Sequence, residues 1–74
     1  MAIETKLRQV FLHKGEDGYW VIECPSLAGC ISQGKTKAEA IANIREAIEG
    51  YVEALKMDGL AVPEEGFEAL VIAV

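Results

Sequence analysis

Among residues equipped for chemistry, this sequence offers one histidine, two cysteines and twelve acidic side chains. A cysteine or serine nucleophile needs a base within hydrogen-bond reach, and the base needs a third group to orient it. His13 lies beside Lys14 at the end of an apolar run, and no spacing around it requires such an arrangement. It reads as a solvated side chain at a strand end, and no catalytic residue is expected. Cys24 and Cys30 with His13 make three soft ligands, one short of a structural zinc site. No metal is expected, and both cysteines read as small, buried, reduced thiols. The glycines at 15, 18, 29, 34, 50, 59 and 66 form neither a dinucleotide fingerprint nor a Walker pattern, so no phosphate-bearing cofactor is expected. The sequence therefore reads as a binding module without enzymatic activity.

The carboxylates are the more suggestive group. The formal net charge of −5 is unevenly placed, about +1 over residues 1–37 and −6 over residues 38–74. Glu39, Glu46, Glu49 and Glu53 recur at spacings that put them on one side of a helix as an acidic ridge, which Arg45 and Lys56 offset only in part. Like charges three or four residues apart cost a few tenths of a kcal/mol each. The ridge is either a solvated face or a patch that meets and steers a basic partner. Hard cations are usually gathered by a loop or by several elements, so the ridge is not read as a metal site. Binding to nucleic acid needs a basic footprint, and direct DNA binding is not expected.

The helix that carries the ridge is the clearest element. Thr36-Lys37-Ala38-Glu39 fits a capping box, in which hydroxyl and carboxylate each satisfy an orphan amide. Ile41, Ile44, Ile48, Tyr51, Val52 and Leu55 then fall within an arc of roughly 100°, and Asp58-Gly59 supplies a stop. Only Gly50 lacks a turn or cap role, and inside a helix it costs about 1 kcal/mol relative to alanine; the close approach of another backbone would explain it. Ahead of the helix, Leu7–Lys14 and Tyr19–Cys24 are rich in β-formers and flank Gly15-Glu16-Asp17-Gly18, where glycines suit positive φ. Pro25 stops the second run. Leu27-Ala28-Gly29 is a short connection, and Cys30–Gln33 a third strand ended by Gly34. Phe67–Val74 reads as a final strand.

The expected order is β-β-β-α-β, an α+β fold with one helix on one face of a mostly antiparallel sheet. Seventy-four residues accommodate one domain, 1–74, with 51 % apolar residues to pack it. No apolar run approaches the roughly 18 residues of a membrane span, and the charged N-terminus is not a secretory signal. A cytoplasmic protein is expected. Leu7, Phe11, Trp20, Ile22, Leu70 and Ile72 are more apolar residues than one helix stripe covers, which points to a homo-oligomer or to an apolar surface for a partner.

From Gly18 onward the sequence resembles the HicB antitoxin family. Gly18-Tyr19-Trp20-Val21, then Pro25-Ser26-Leu27-Ala28-Gly29-Cys30, a short strand, Gly34-Lys35-Thr36 and Glu39-Ala40 opening a helix reproduce that family's ordered pattern. The resemblance implies a partial RNase H-like fold without catalytic carboxylates. It also implies an antitoxin that covers the RNA-cleaving site of a small, basic HicA-type mRNA interferase with a double-stranded-RNA-binding-like fold. Glu39, Glu46, Glu49 and Glu53 would suit such a target. Pro25, Gly29, Cys30, Gly34, Thr36 and Glu39 carry the motif and are read as structural. Many family members continue into a DNA-binding domain, and this chain stops at the last strand of the first. The alternative is an orphan HicB-like module for oligomerisation or regulation, a homodimer or homotetramer without a cognate toxin.

Overall fold

The structure is a computed structural model that describes residues 7–66 and 70–74. Three strands, β1 (Phe11–Lys14), β2 (Trp20–Glu23) and β3 (Ile31–Gly34), precede one helix, α1 (Lys37–Met57). The strands form an antiparallel sheet in the order β1-β2-β3, so the β-β-β-α arrangement is the one the sequence implies. Between β1 and β2 the chain turns on the Gly15 amide donating to the Tyr19 carbonyl (2.7 Å), while the Asp17 carboxylate accepts from the Tyr19 amide (3.1 Å). Of the two turn glycines only Gly18 has positive φ (85°).

The helix ends behave as local chemistry dictates. Thr36 Oγ1 accepts from the Glu39 amide at 3.1 Å. The return bond differs from the expected box: the Glu39 carboxylate accepts from the Lys35 amide at 3.3 Å, one residue before the cap. At the far end the Gly59 amide donates to the Lys56 carbonyl (3.1 Å) and the Leu60 amide to the Leu55 carbonyl (2.9 Å). Those two bonds make a Schellman motif, which needs a left-handed residue after the helix; Gly59 supplies it with φ 70°. At Gly50 nothing among the described residues lies within 4 Å of an added Cβ, so no backbone approach among them explains that glycine.

Packing sorts the side chains less simply than periodicity suggests. The core is Ile22, Cys24, Leu27, Cys30, Ala40 and Ile44, bordered by Leu12, Trp20, Ala47, Ile48, Tyr51 and Val52. Of the expected helix stripe only Ile44 is fully buried, and Ile41 is exposed. Ala40, outside that stripe, is completely covered. The reason is the approach of α1 to β3. Gly34 is buried, and a Cβ on it would meet the Ala40 amide nitrogen at 2.5 Å and Glu39 carbon atoms below 3.0 Å. The Asn43 side chain donates to the Gln33 carbonyl (2.7 Å), holding the same contact further along.

Two expectations change. Trp20 and Ile22, counted among the apolar residues in excess of what one helix stripe covers, both lie against the helix. The register pairs Leu12 with Ile22 and Ile22 with Ser32, and alternation then puts Leu12, Trp20 and Ile22 on the helix side. The open face carries Phe11, Val21 and Ile31 in their place, with Phe11 41 % and Ile31 58 % exposed. The final strand expected at Phe67–Val74 falls partly outside the described residues. Residues 70–74 belong to no strand, and Leu70, Val71, Ile72 and Val74 are exposed. β-rich composition alone makes no strand; the neighbour's ladder does.

Candidate partner interface

A concavity among the described residues lies along α1. Ile41, Ile44, Ile48 and Val52 form one wall, and Leu7, Val10 and Val62 approach from the other side. The result is an open groove of about 980 Å³. The helix wall runs from buried Ile44 through half-buried Ile48 and Val52 to exposed Ile41. Arg8, Arg45, Glu49, Glu53 and Lys56 stand on its rim.

The wall opposite the helix is held by a polar clasp. Arg8 donates to Ser26 Oγ (2.9 Å) and to the Pro63 carbonyl (2.8 Å), and the Glu65 carboxylate accepts from the Gln9 amide. These bonds join three segments that are far apart in sequence. The Gln9 amide, then the Ser26 hydroxyl, hold the Glu65 carboxyl below the usual carboxylate range, with a smaller contribution from Arg8 opposing desolvation. A folded-state pKa depressed below the unfolded value contributes stability above the unfolded pKa and loses it as pH falls through the folded pKa. The clasp is accordingly intact at neutral pH and loosens below the ordinary carboxylate range. An NMR titration from about pH 6 to pH 2 should show the Gln9 amide shift following Glu65. That titration should vanish in Glu65→Gln, and a Gln9 amide insensitive to pH in the parent chain would disprove the coupling.

The acidic ridge divides by role. Glu39 is occupied at the helix start, while Glu49 and Glu53 border the groove. Glu46 is exposed on the same helix but does not line it. The motif residues are placed structurally. Pro25 follows β2, Gly29 turns the loop with φ 77°, Cys30 is buried, Gly34 meets the helix, and Thr36 caps it. His13 is exposed on the open sheet face, opposite to Cys24 and Cys30 in the core, so the fold pairs no thiol with the imidazole. Among the described residues no three His, Cys, Asp or Glu side chains are grouped to hold a metal. No helix there is long and apolar enough to cross a membrane.

Sequence reading missed two features. Arg8 and Glu65 carry no local signal, since their bonds span from eighteen to more than fifty residues. At the opposite end of the molecule Lys37 and Lys14 stand over the Trp20 ring, 4.8 and 5.7 Å from its centroid. Such contacts are worth about 0.5–1 kcal/mol at exposed sites, and they tie the helix start to β1 and β2 through the Trp20 ring. Groove and rim suit noncovalent docking of an amphipathic partner.

Comparison with known proteins agrees with that character. Residues 9–70 match the family model of HicB-like antitoxins of bacterial toxin-antitoxin systems. A UPF0150 protein of Thermoplasma acidophilum is 46 % identical over 63 residues, 85 % of this chain and 91 % of the relative. A UPF0150 protein of Synechocystis is 52 % identical over 56 residues, 76 % and 71 % of the two chains. One from Helicobacter pylori is 50 % identical over 50 residues, 68 % of each. No solved structure matches.

Proposed function

This chain belongs to the HicB-like antitoxin family, and on that premise we propose that it neutralises a small, basic HicA-type mRNA interferase by covering its RNA-cleaving site. The observation that carries the proposal is the apolar groove along α1 with Glu49 and Glu53 on its rim. Its walls supply burial for an amphipathic element of the toxin, and exposed carboxylates attract the positive surface an RNA-binding protein must carry. The net charge of −5 acts in the same direction. In this reading the protein has no catalytic role, its partial RNase H-like arrangement lacks catalytic carboxylates, and it works in the cytoplasm beside its target. The single HicB-like domain spans residues 1–74.

The test is a titration of the toxin with the triple variant Glu46→Lys, Glu49→Lys, Glu53→Lys, read by calorimetry and by protection of RNA from cleavage. Rim charges are worth a fraction of a kcal/mol to about 1 kcal/mol each. Binding should weaken roughly 10- to 100-fold at low salt, and the difference should shrink as salt screens it. Unchanged affinity with an intact helix would remove the groove from the proposal.

A second reading is an orphan module for oligomerisation or regulation. It is favoured by the exposed Leu70, Val71, Ile72 and Val74, an apolar segment that a second copy would cover in a homodimer or homotetramer. Light scattering on the same samples separates the two. A stable homo-oligomer that ignores the toxin selects the orphan reading.

A further inference from the structure

The register of the sheet brings the two cysteines together. Trp20 pairs with Gly34 and Glu23 with Ile31, so the next opposite pair is Cys24 and Cys30. The Cys24 amide donates to the Cys30 carbonyl at 2.9 Å, which continues the ladder by one step beyond the strands. Both side chains lie on the helix side of the sheet, in one core cluster, 1 % and 5 % exposed. Opposite residues of an antiparallel pair stand about 4.5–5.5 Å apart at Cα, inside the window of about 4.4–6.8 Å that a disulfide requires. Burial raises the Cys30 thiol above its ordinary pKa, and the nearby Cys24 sulfur raises it further, against a smaller opposing effect of Arg8. In the structure both are free thiols.

Between them runs Pro25 to Gly29, a loop tied at three points. The Leu27 amide donates to the Cys24 carbonyl (3.1 Å), the Cys30 amide to the Leu27 carbonyl (3.0 Å), and the Tyr51 hydroxyl to the Ala28 carbonyl (2.9 Å). Leu27 is buried, whereas Pro25, Ala28 and Gly29 face solvent. The loop is therefore a short lid pinned at its base by the backbone of the two cysteines and near its tip by Tyr51.

We infer that Cys24 and Cys30 are a redox-active dithiol that closes to a disulfide across the base of this loop when low-molecular-weight disulfides accumulate. One protein thiol, as its thiolate, attacks a sulfur of the small disulfide; a mixed disulfide forms and one small thiolate leaves with the displaced proton. The second protein thiol then attacks the protein-side sulfur, and the second small thiolate leaves with its proton. Two protein thiols are oxidised and one small disulfide is reduced to two thiols, with no other reactant. Closure locks the loop that presents Leu27 to the core and the Ala28 carbonyl to α1.

The test is equilibration of the full chain in glutathione redox buffers, native and in strong urea, with acid quench, alkylation of unfolded protein and mass spectrometry. The fold should favour the intramolecular disulfide about tenfold or more over the urea-unfolded chain, because the register pre-aligns the sulfurs. The product should carry no intermolecular disulfide and be reversed by dithiothreitol. Cys24→Ser should stop at one mixed disulfide. Tyr51→Phe, which releases one tie of the lid, should speed native oxidation. Native disulfide no more favoured than in urea, mixed disulfides only, or cross-linked dimers only would each overturn the inference.

Discussion

Gly34→Ala is expected to destabilise the fold by about 3 kcal/mol, at the upper end of the usual cost of overpacking. The expected cause is space and not backbone conformation. Gly34 is absent from the positive-φ glycines Gly18, Gly29 and Gly59, yet a Cβ there would sit 2.5 Å from the Ala40 nitrogen. The colliding atoms are backbone at the first turn of α1, which cannot rotate away as a side-chain tip would. Either the helix start retreats, uncovering Ala40 and stretching the bond from Asn43 to the Gln33 carbonyl, or β3 frays. A domain of this length has roughly 4–11 kcal/mol in total, and the loss should lower the melting temperature by roughly 12 °C or more. Gly50→Ala is the matched control. It fills open space in the helix interior and should stabilise by about 0.5–1 kcal/mol. Urea unfolding of both variants decides the matter, and a Gly34→Ala chain within about 1 kcal/mol of the parent would mean that the helix does not approach β3 so closely.

Leu27→Ala should cost a similar amount, about 3 kcal/mol within the range of 2–5 seen for buried leucines. Leu27 sits in a loop, flanked by exposed Ala28 and half-buried Ser26, yet is only 1 % exposed. It reaches the same cluster as Ile22, Cys24 and Ile44. Truncation leaves a cavity beneath a lid whose backbone is pinned by the Tyr51 hydroxyl and by the Cys24 and Cys30 bonds, so little collapse is available to fill it. Leu27→Met keeps the volume and should stay within about 1.5 kcal/mol. Ala28→Ser, one residue on and exposed, should fall within about 0.5 kcal/mol, because the Tyr51 bond uses the backbone carbonyl. Thermal and urea unfolding read the series. If Leu27→Ala and Ala28→Ser were equally mild, Leu27 would not belong to the core.

These two residues mark where sequence reading stopped. Gly34 was legible as the end of a strand, but a glycine that ends a strand and one that admits a helix look alike in sequence. Leu27 stood in a connection rich in turn residues, where no periodicity reveals the inward-facing side chain. The ridge of Glu39, Glu46, Glu49 and Glu53 was legible from helical spacing, yet its division into a cap partner, two rim residues and one residue outside the groove, Glu46, depends on what lies beside the helix. The groove itself was not legible. Its far wall is held by bonds from Arg8 to Pro63 and from Gln9 to Glu65, each spanning more than fifty residues in sequence.

What the sequence determined by itself is local. The Thr36 cap, the Gly59 stop, the Gly18 turn and the end of β2 ahead of Pro25 each depend on hydrogen bonds or dihedral limits within a few residues. Together with apolar periodicity they dictate three short strands followed by a long helix. The ordered motif from Gly18 to Ala40 also carried the family. Only the tertiary structure decided which sheet face α1 covers, that Trp20 and Ile22 turn toward it, that residues 70–74 stay outside the sheet, and that Cys24 faces Cys30. Those outcomes rest on register and helix-to-sheet distance, and both are set by the combined packing of residues from every element, which no local pattern encodes.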